Sequence, residues 1–142
     1  MRYRHLQYRY TMVVTTAQAQ SVGEVWRHGG IGIISAQPRW RPEADIYETA
    51  EAIVVAVELA GVEEEEMEVL LFEDAVVIEG RRRIPGCEAG GVYHLVGIRQ
   101  GSFRLEVPLW APIDPAGVEA HHERGLLRIR LPKLTGGDVH GR

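Results

Sequence analysis

Two histidines, His121 and His122, stand side by side in AHHERGLL and are the most conspicuous candidates for chemistry in this chain. Imidazole nitrogens bind Zn²⁺, so the pair raises the hypothesis of a metal site. Adjacent residues of a strand point to opposite faces, however, and the two rings cannot easily share one ion. No further ligands follow at zinc-like spacing. We therefore interpret the pair as partly exposed surface residues and predict no metal site.

Cys87, in the stretch IPGCEAGG, is the one cysteine of the sequence. The arginines at 81–83 would favour its reactive thiolate form, which makes a redox switch conceivable. An incidental surface thiol is the preferred interpretation. A single cysteine cannot form an intrachain disulfide and fits a reducing compartment, so we expect a cytoplasmic protein.

Other candidate catalytic patterns are incomplete. The four glutamates at 63–66 lie in a short segment between strands and are interpreted as a solvated turn with one helical turn. Ser102 and His94 suggest nucleophilic catalysis, but the chain lacks a G-x-S-x-G elbow and an assignable acid. The glycines of GGIG at 29–32 follow no strand and precede no Gly-Lys-Ser/Thr. The sequence therefore predicts no enzyme activity and no cofactor.

Tyrosines and arginines alternate near the N-terminus and form the one pattern that suggests nucleic-acid binding. The segment 1–39 is basic, but the chain as a whole carries a formal net charge of −4, which leaves the rest clearly acidic. We prefer an arm that contacts protein partners and predict no nucleic-acid partner. The residues of this pattern are Arg2, Tyr3, Arg4, Tyr8, Arg9 and Tyr10.

Several short segments downstream alternate apolar and polar residues with the period of two that strands require. They are IVVAVEL (53–59), MEVLL (67–71), AVVIE (75–79), SFRLEVPL (102–109) and LLRIRL (126–131), with a short strand around Val118 and Ala120. Pro108 and Pro132 cannot donate to a sheet ladder, so we expect strands to end there. At least six strands without a convincing helix predict an all-β, immunoglobulin-like antiparallel β-sandwich.

Composition and residue pattern divide the chain into three parts. We expect a flexible N-terminal arm over 1–39, a sandwich domain over 40–133 and a short, disordered C-terminal tail over 134–142. With 142 residues the chain is long enough for one core. No apolar run approaches the roughly 18 residues that a membrane span needs, so no membrane partner is predicted.

About twenty residues rich in glycine and arginine, RRRIPGCEAGGVYHLVGIRQ, separate two of the predicted strands. Structureless loops of that length are uncommon in compact domains and are usually functional. This one contains a short strand candidate, VYHL at 92–95. A strand on a long tether can pair with the edge of a neighbouring chain, which also protects that edge from aggregation.

Five separated motifs in this order resemble the α-crystallin domain of small heat-shock proteins. They are WRPEADIYET (40–49), ELAGV (58–62) followed by acids and MEV, VVIEGRRR (76–83), GSF (101–103) and AHHERGLL (120–127) leading to LPK. The resemblance covers residues 40–133. The motif and core positions that it marks are Gly61, Gly101, Phe103, Ala120, Gly125, Leu126, Leu127, Ile129 and Leu131.

The resemblance implies an ATP-independent chaperone, a holdase, that binds unfolding client proteins through exposed apolar surface. It also implies a homodimer in which a tethered strand of one chain pairs with the first strand of its partner, and it allows a higher oligomer. The strand-exchange residues would be Val92, Tyr93, His94 and Leu95 on the tether and Ala44, Asp45, Ile46 and Tyr47 on the edge. The client-binding residues of the arm would be Tyr8, Tyr10, Trp26, Ile31, Ile33 and Ile34.

The sequence departs from the family pattern at several points. Family members usually carry a C-terminal pair of aliphatic residues that builds large oligomers, and LTGGDVHGR has no such pair. Leu105 and Trp110 stand where arginine and proline are common. A one-residue shift moves Arg104 to the opposite face of its strand, so a seam ion pair of the family does not transfer. The alternative from another class is a monomeric β-sandwich co-chaperone or adaptor that binds one folded partner.

Overall fold

The computed structural model describes residues 2–4, 14–16 and 39–135. Within these ranges nine strands form. They are β1 (Arg2–Arg4), β2 (Val14–Thr16), β3 (Ala44–Glu48), β4 (Ala52–Glu58), β5 (Met67–Leu71), β6 (Ala75–Arg82), β7 (Gly101–Pro108), β8 (Glu119–Glu123) and β9 (Leu126–Pro132). The expected client-binding residues and the tail beyond 135 lie outside the described residues. Those arm residues are Tyr8, Tyr10, Trp26, Ile31, Ile33 and Ile34.

The strands form two sheets that pack face to face. Sheet A has the order β1-β2-β5-β6-β7, and sheet B has the order β3-β4-β9-β8. Neighbouring strands are antiparallel, except that β2 runs parallel to β5. The predicted all-β sandwich is confirmed. The only helical elements of the described residues are 3-10 turns at Glu64–Glu66 and Pro115–Gly117.

Strands β1 and β2 were not predicted, because a three-residue strand is too short to show a period. β2 extends sheet A by pairing Val14 with Val69 and Thr16 with Leu71 of β5. The part of the chain that was expected to be a separate arm therefore contributes backbone to the edge of the domain.

Alternate residues of the facing strands fill the space between the sheets. Phe103 and Leu105 of β7 meet Leu127 and Ile129 of β9 in one cluster, each 0–1% exposed. Each such side chain contributes on the order of 1.5–3 kcal/mol when it leaves water. Leu126, placed by the resemblance among motif and core positions, is instead exposed, because alternation turns it away from the core when Leu127 points inward.

The β8–β9 hairpin closes with a two-residue turn at Arg124 and Gly125. Both have positive φ, 53° and 79°, as a type I′ turn requires. A Cβ at Gly125 would lie 3.0 Å from the Cβ of Ala60, and the carbonyl of Gly125 accepts a 2.7 Å bond from the Leu59 amide. This turn therefore holds the end of β4 against the hairpin.

Gly125→Ala is expected to lower the free energy of unfolding by about 1–2 kcal/mol, because an alanine at positive φ is strained and here also crowds Ala60. Gly97→Ala is the matched control, since a Cβ there meets nothing within 4 Å. Urea titrations followed by circular dichroism compare the two variants. An equal effect at both positions would contradict this account of the turn.

Candidate interaction surface

Strand β3 is an edge strand that presents the predicted acceptor residues Ala44, Asp45, Ile46 and Tyr47. It pairs with β4 on one side, and on its other side no described strand is its neighbour. Its burial is low, with Ile46 and Tyr47 both more than one-third exposed. An open edge offers unpaired amide and carbonyl groups to another strand.

Three side chains fix β3 and the turn after it. Glu48 forms an ion pair with Lys133 and accepts a 2.8 Å hydrogen bond from Trp110 Nε1. These contacts, led by the bond from Lys133, hold the pKa of Glu48 below its usual range. On the other face Arg128 donates a 2.6 Å bond to the Tyr47 hydroxyl. Trp110, a departure from the family pattern, therefore supports the edge strand.

Residues 83–100 form a long excursion between β6 and β7 with strongly exposed apolar side chains. Val92 and Leu95 are 75% and 85% exposed, and Tyr93, Val96 and Ile98 are exposed as well. The expected strand Val92–Leu95 is absent in the single chain, since no neighbouring strand lies beside it. The loop forms no ladder with β3 of the same chain. Pairing of His94 and its neighbours with a second chain stays a prediction.

Arg82 closes the base of this loop. Its side chain is buried, and its Nε donates a 2.8 Å bond to the carbonyl of Arg99 at the far end of the loop. Its Nη1 donates to the carbonyl of Ala60 at 3.3 Å, and the guanidinium lies 4.4 Å from the centre of the Trp40 ring. Glu58 is 3.8 Å away. One cation therefore ties β6, the loop end and the β4 terminus together.

Arg82 is not among the site residues predicted from the sequence, although the alternation of side chains along its strand indicates that it is buried. Val76 and Ile78 of β6 point into the core, so Gly80 and Arg82 share their face by alternation. Glycine is required at position 80, because a Cβ there would lie only 2.8 Å from Phe103 Cζ. The flanking arginines of the triplet point outward and are exposed. Alternation of side chains along β6 is therefore enough to identify Arg82 as the inward-pointing arginine of the triplet.

A pair of carboxylates lies on the outer face of sheet A. Glu68 and Glu79 are register partners on β5 and β6. Partial desolvation of Glu68, followed by the hydrogen bond and charge of Glu79, raises the pKa of Glu68. Glu79 is compensated from its other side by Arg39 at 3.3 Å and Arg104 at 3.7 Å. Glu68 is thus the poorly compensated member of the pair.

Glu68→Gln is expected to raise the stability at pH 7 by about 0.5 kcal/mol, since like charges on opposed strands repel and exposure weakens the effect. A carboxyl whose pKa is raised in the folded state stabilises the fold while protonated and loses that contribution as the pH rises through the folded pKa. The advantage of the variant should therefore vanish below the ordinary glutamate pKa of about 4.3. Thermal unfolding at pH 7 and at low pH measures it, with Glu65→Gln as the control.

The remaining candidate residues form no reactive centre. His122 Nε2 lies 3.3 Å from the carbonyl of Leu59, and His121 is exposed. Cys87 is exposed. Among the described residues no three His, Cys, Asp or Glu side chains are placed to hold a metal ion. The same part of the chain contains no helix of the length and apolarity that a membrane crossing requires.

Known proteins resemble this chain over most of the sandwich domain. The sequence pattern of the Hsp20/alpha crystallin family matches residues 45–140. The small heat shock protein C2 of Rickettsia felis is 29% identical over 96 residues, which cover 68% of this chain and 62% of the relative. The spore protein SP21 of Stigmatella aurantiaca is 31% identical, over 68% of this chain and 57% of that protein. The chain thus matches less than two thirds of the length of these two relatives.

Among solved structures, heat shock protein 16.0 from Schizosaccharomyces pombe superposes with a TM-score of 0.61 at 30% identity. The superposition covers 68% of this chain and 89% of the yeast chain.

Proposed function

Because the chain belongs to the Hsp20/alpha crystallin family, we propose that it is a chaperone without enzymatic activity, an ATP-independent holdase that binds unfolding proteins and prevents their aggregation. The observation that carries this proposal is the match of the Hsp20/alpha crystallin family pattern to residues 45–140, which include most of the described sandwich. An exposed apolar patch rimmed by polar residues marks a protein-binding surface. Residues 92–98 form such a patch, which is assigned below to the contact between two copies of the chain.

The active unit is proposed to be a homodimer joined by strand exchange. The loop residues Val92–Leu95 of one chain would add to the free edge of β3, at Ala44–Tyr47, of its partner. Both halves of this contact support it: one side of β3 has no described strand beside it, and the loop is exposed and tied down at its base by Arg82. Pairing would satisfy the backbone groups of both segments and bury their apolar side chains.

Clients are proposed to bind through residues of the segment 1–39, which carries the apolar and aromatic side chains named above. Affinity would come from buried apolar area, at about 25 cal/mol per Å² before ordering costs. The acidic domain supports protein clients rather than nucleic acid. The lone, exposed Cys87 supports a cytoplasmic location.

Light scattering of a model enzyme that unfolds on heating, recorded without ATP, tests the holdase. Suppression at near-stoichiometric subunit ratios on several unrelated clients is the expected result. The protein's own circular dichroism at the same temperature is the control. A folded protein that suppresses nothing would overturn the holdase and point to the adaptor that binds one folded partner.

A further inference from the structure

Large apolar side chains that are exposed among the described residues concentrate at two places. Five of them lie on the loop, between residues 92 and 98. Three more, Ile46, Tyr47 and Trp110, lie on or beside the edge strand β3. Trp110 follows the end of β7 and reaches β3 through its 2.8 Å bond to Glu48. Tryptophan is enriched among the residues that dominate binding at protein interfaces.

Alternation of side chains gives the edge of β3 an inner and an outer side. Ile46 is the register partner of Val55, a core residue, so its side chain points toward sheet A. It is nevertheless 41% exposed, because β3 is the last strand of sheet B. Glu48 lies two residues further along the same side, and Trp110 is bonded to it. Ile46 and Trp110, here called the shelf, therefore lie on the inner side of β3.

The outer side of β3 has a different chemistry. Asp45 and Tyr47 alternate with Ile46 and point outward. The Tyr47 hydroxyl accepts a 2.6 Å bond from Arg128. A strand that pairs with this edge would therefore meet the apolar shelf on one side and polar groups on the other.

The shelf is held in place within the single chain. Glu48, which accepts the bond from Trp110, forms an ion pair with Lys133. Lys133 is anchored in turn, since its Nζ donates a 2.8 Å bond to the Thr49 carbonyl and its amide donates one of the same length to the Glu51 carbonyl. A side chain that is already fixed loses little conformational freedom on binding. The fixed but half-exposed indole is therefore suited to receive a partner.

The loop carries the matching pattern. In an extended strand Tyr93 and Leu95 would point to one side and His94 to the other. The first side offers an aromatic ring and an aliphatic chain, which fit the shelf. The second carries an imidazole, which fits the outer side beside Asp45. Chemistry alone thus selects which side of the loop turns inward.

We propose that the shelf of Ile46 and Trp110 is the seat for Tyr93 and Leu95 of a second copy of this chain. This contact rests on the proposed strand exchange and adds to it a residue that lies outside both exchanged segments. Trp110 determines the facing of the incoming strand, because the opposite facing would place His94 against the indole and the two apolar side chains beside Asp45.

A double-mutant cycle on the dissociation constant of the dimer tests this contact. Sedimentation velocity over a concentration series measures the constant for each variant. Trp110→Ala is expected to weaken the dimer by about 30-fold in the parent chain. In at least one of the backgrounds Tyr93→Ala and Leu95→Ala the same change should cost no more than about 5-fold, since the ring has lost a partner. His94→Ala is the matched control, and in that background the cost should stay at about 30-fold.

Ile46→Ala repeats the cycle from the other half of the shelf, so that a misfolded Trp110→Ala does not end the test. Circular dichroism checks the fold of each variant. No cost in the parent chain, or an equal cost in every background, would overturn the shelf while leaving strand exchange in place. A parent chain that stays monomeric would overturn both together. The light-scattering assay of the holdase is independent of each of these outcomes.

Discussion

Arg82→Met is expected to lower the free energy of unfolding by about 3 kcal/mol. This is the largest stability loss that we expect from replacing any one charged residue of the domain. Methionine has a similar length but donates no hydrogen bond. The carbonyls of Ala60 and Arg99 would each lose a donor, and Trp40 would lose the cation on its ring. A buried polar group without a partner costs about 1–3 kcal/mol.

Arg81→Met is the matched control, because Arg81 is the same residue type one position earlier and is exposed. It should change the stability by no more than about 0.5 kcal/mol. Urea titrations at one fixed protein concentration, followed by far-ultraviolet circular dichroism, compare the two variants. The loop adds a second readout, since loss of the bond to Arg99 should speed tryptic cleavage within 83–99. Similar losses for both variants would show that Arg82 does not close the loop.

The double variant Tyr93→Asp and Leu95→Asp is expected to convert the proposed dimer to monomer at micromolar concentration. The two residues would share one face of the exchanged strand. Burying a carboxylate where an apolar side chain was removes the hydrophobic gain and adds a desolvation cost. A loss of about 3 kcal/mol over the two sites weakens dimerisation by about 100-fold. Sedimentation velocity over a concentration series measures the change.

Leu126→Asp provides the control for added charge, because Leu126 is also exposed but belongs to the β8–β9 hairpin and not to the loop or to β3. This control should sediment like the parent protein. A double variant that remains dimeric would refute strand exchange through residues 92–95. Dimer loss in both variants would instead point to a general effect of charge on association.

Much of the sandwich could be predicted from alternation alone. Leu127, Ile129 and Leu131 fill the core as their period of two indicates, and β7 and β9 end at Pro108 and Pro132. The residues 63–66 form a turn with one short helical element, as expected for a charge run between strands. These features depend on neighbours in sequence, which a local pattern reports directly.

Other features depend on which strands become neighbours, and no local pattern reports that. The repulsion between Glu68 and Glu79 exists only in the β5–β6 register, and β2 is visible only through its partner β5. The second apolar cluster, formed by Leu70, Phe72, Ala75 and Val77, is an intermediate case. The continuous apolar run AVVI at 75–78 is typical of a strand covered on both faces, whereas a two-layer sandwich predicts a cover on one face only.

Because Arg82 and its register partner Gly101 close the loop at its base, residues 83–100 can attach to another chain or detach from it without opening any ladder of their own sheet. The barrier to partner exchange between subunits joined in this way would be set by the loop and edge contacts alone. It would lie well below the barrier to unfolding the sandwich. A mixed population of dimers would then equilibrate while every domain stayed folded. Heating would speed partner exchange before it threatened the core.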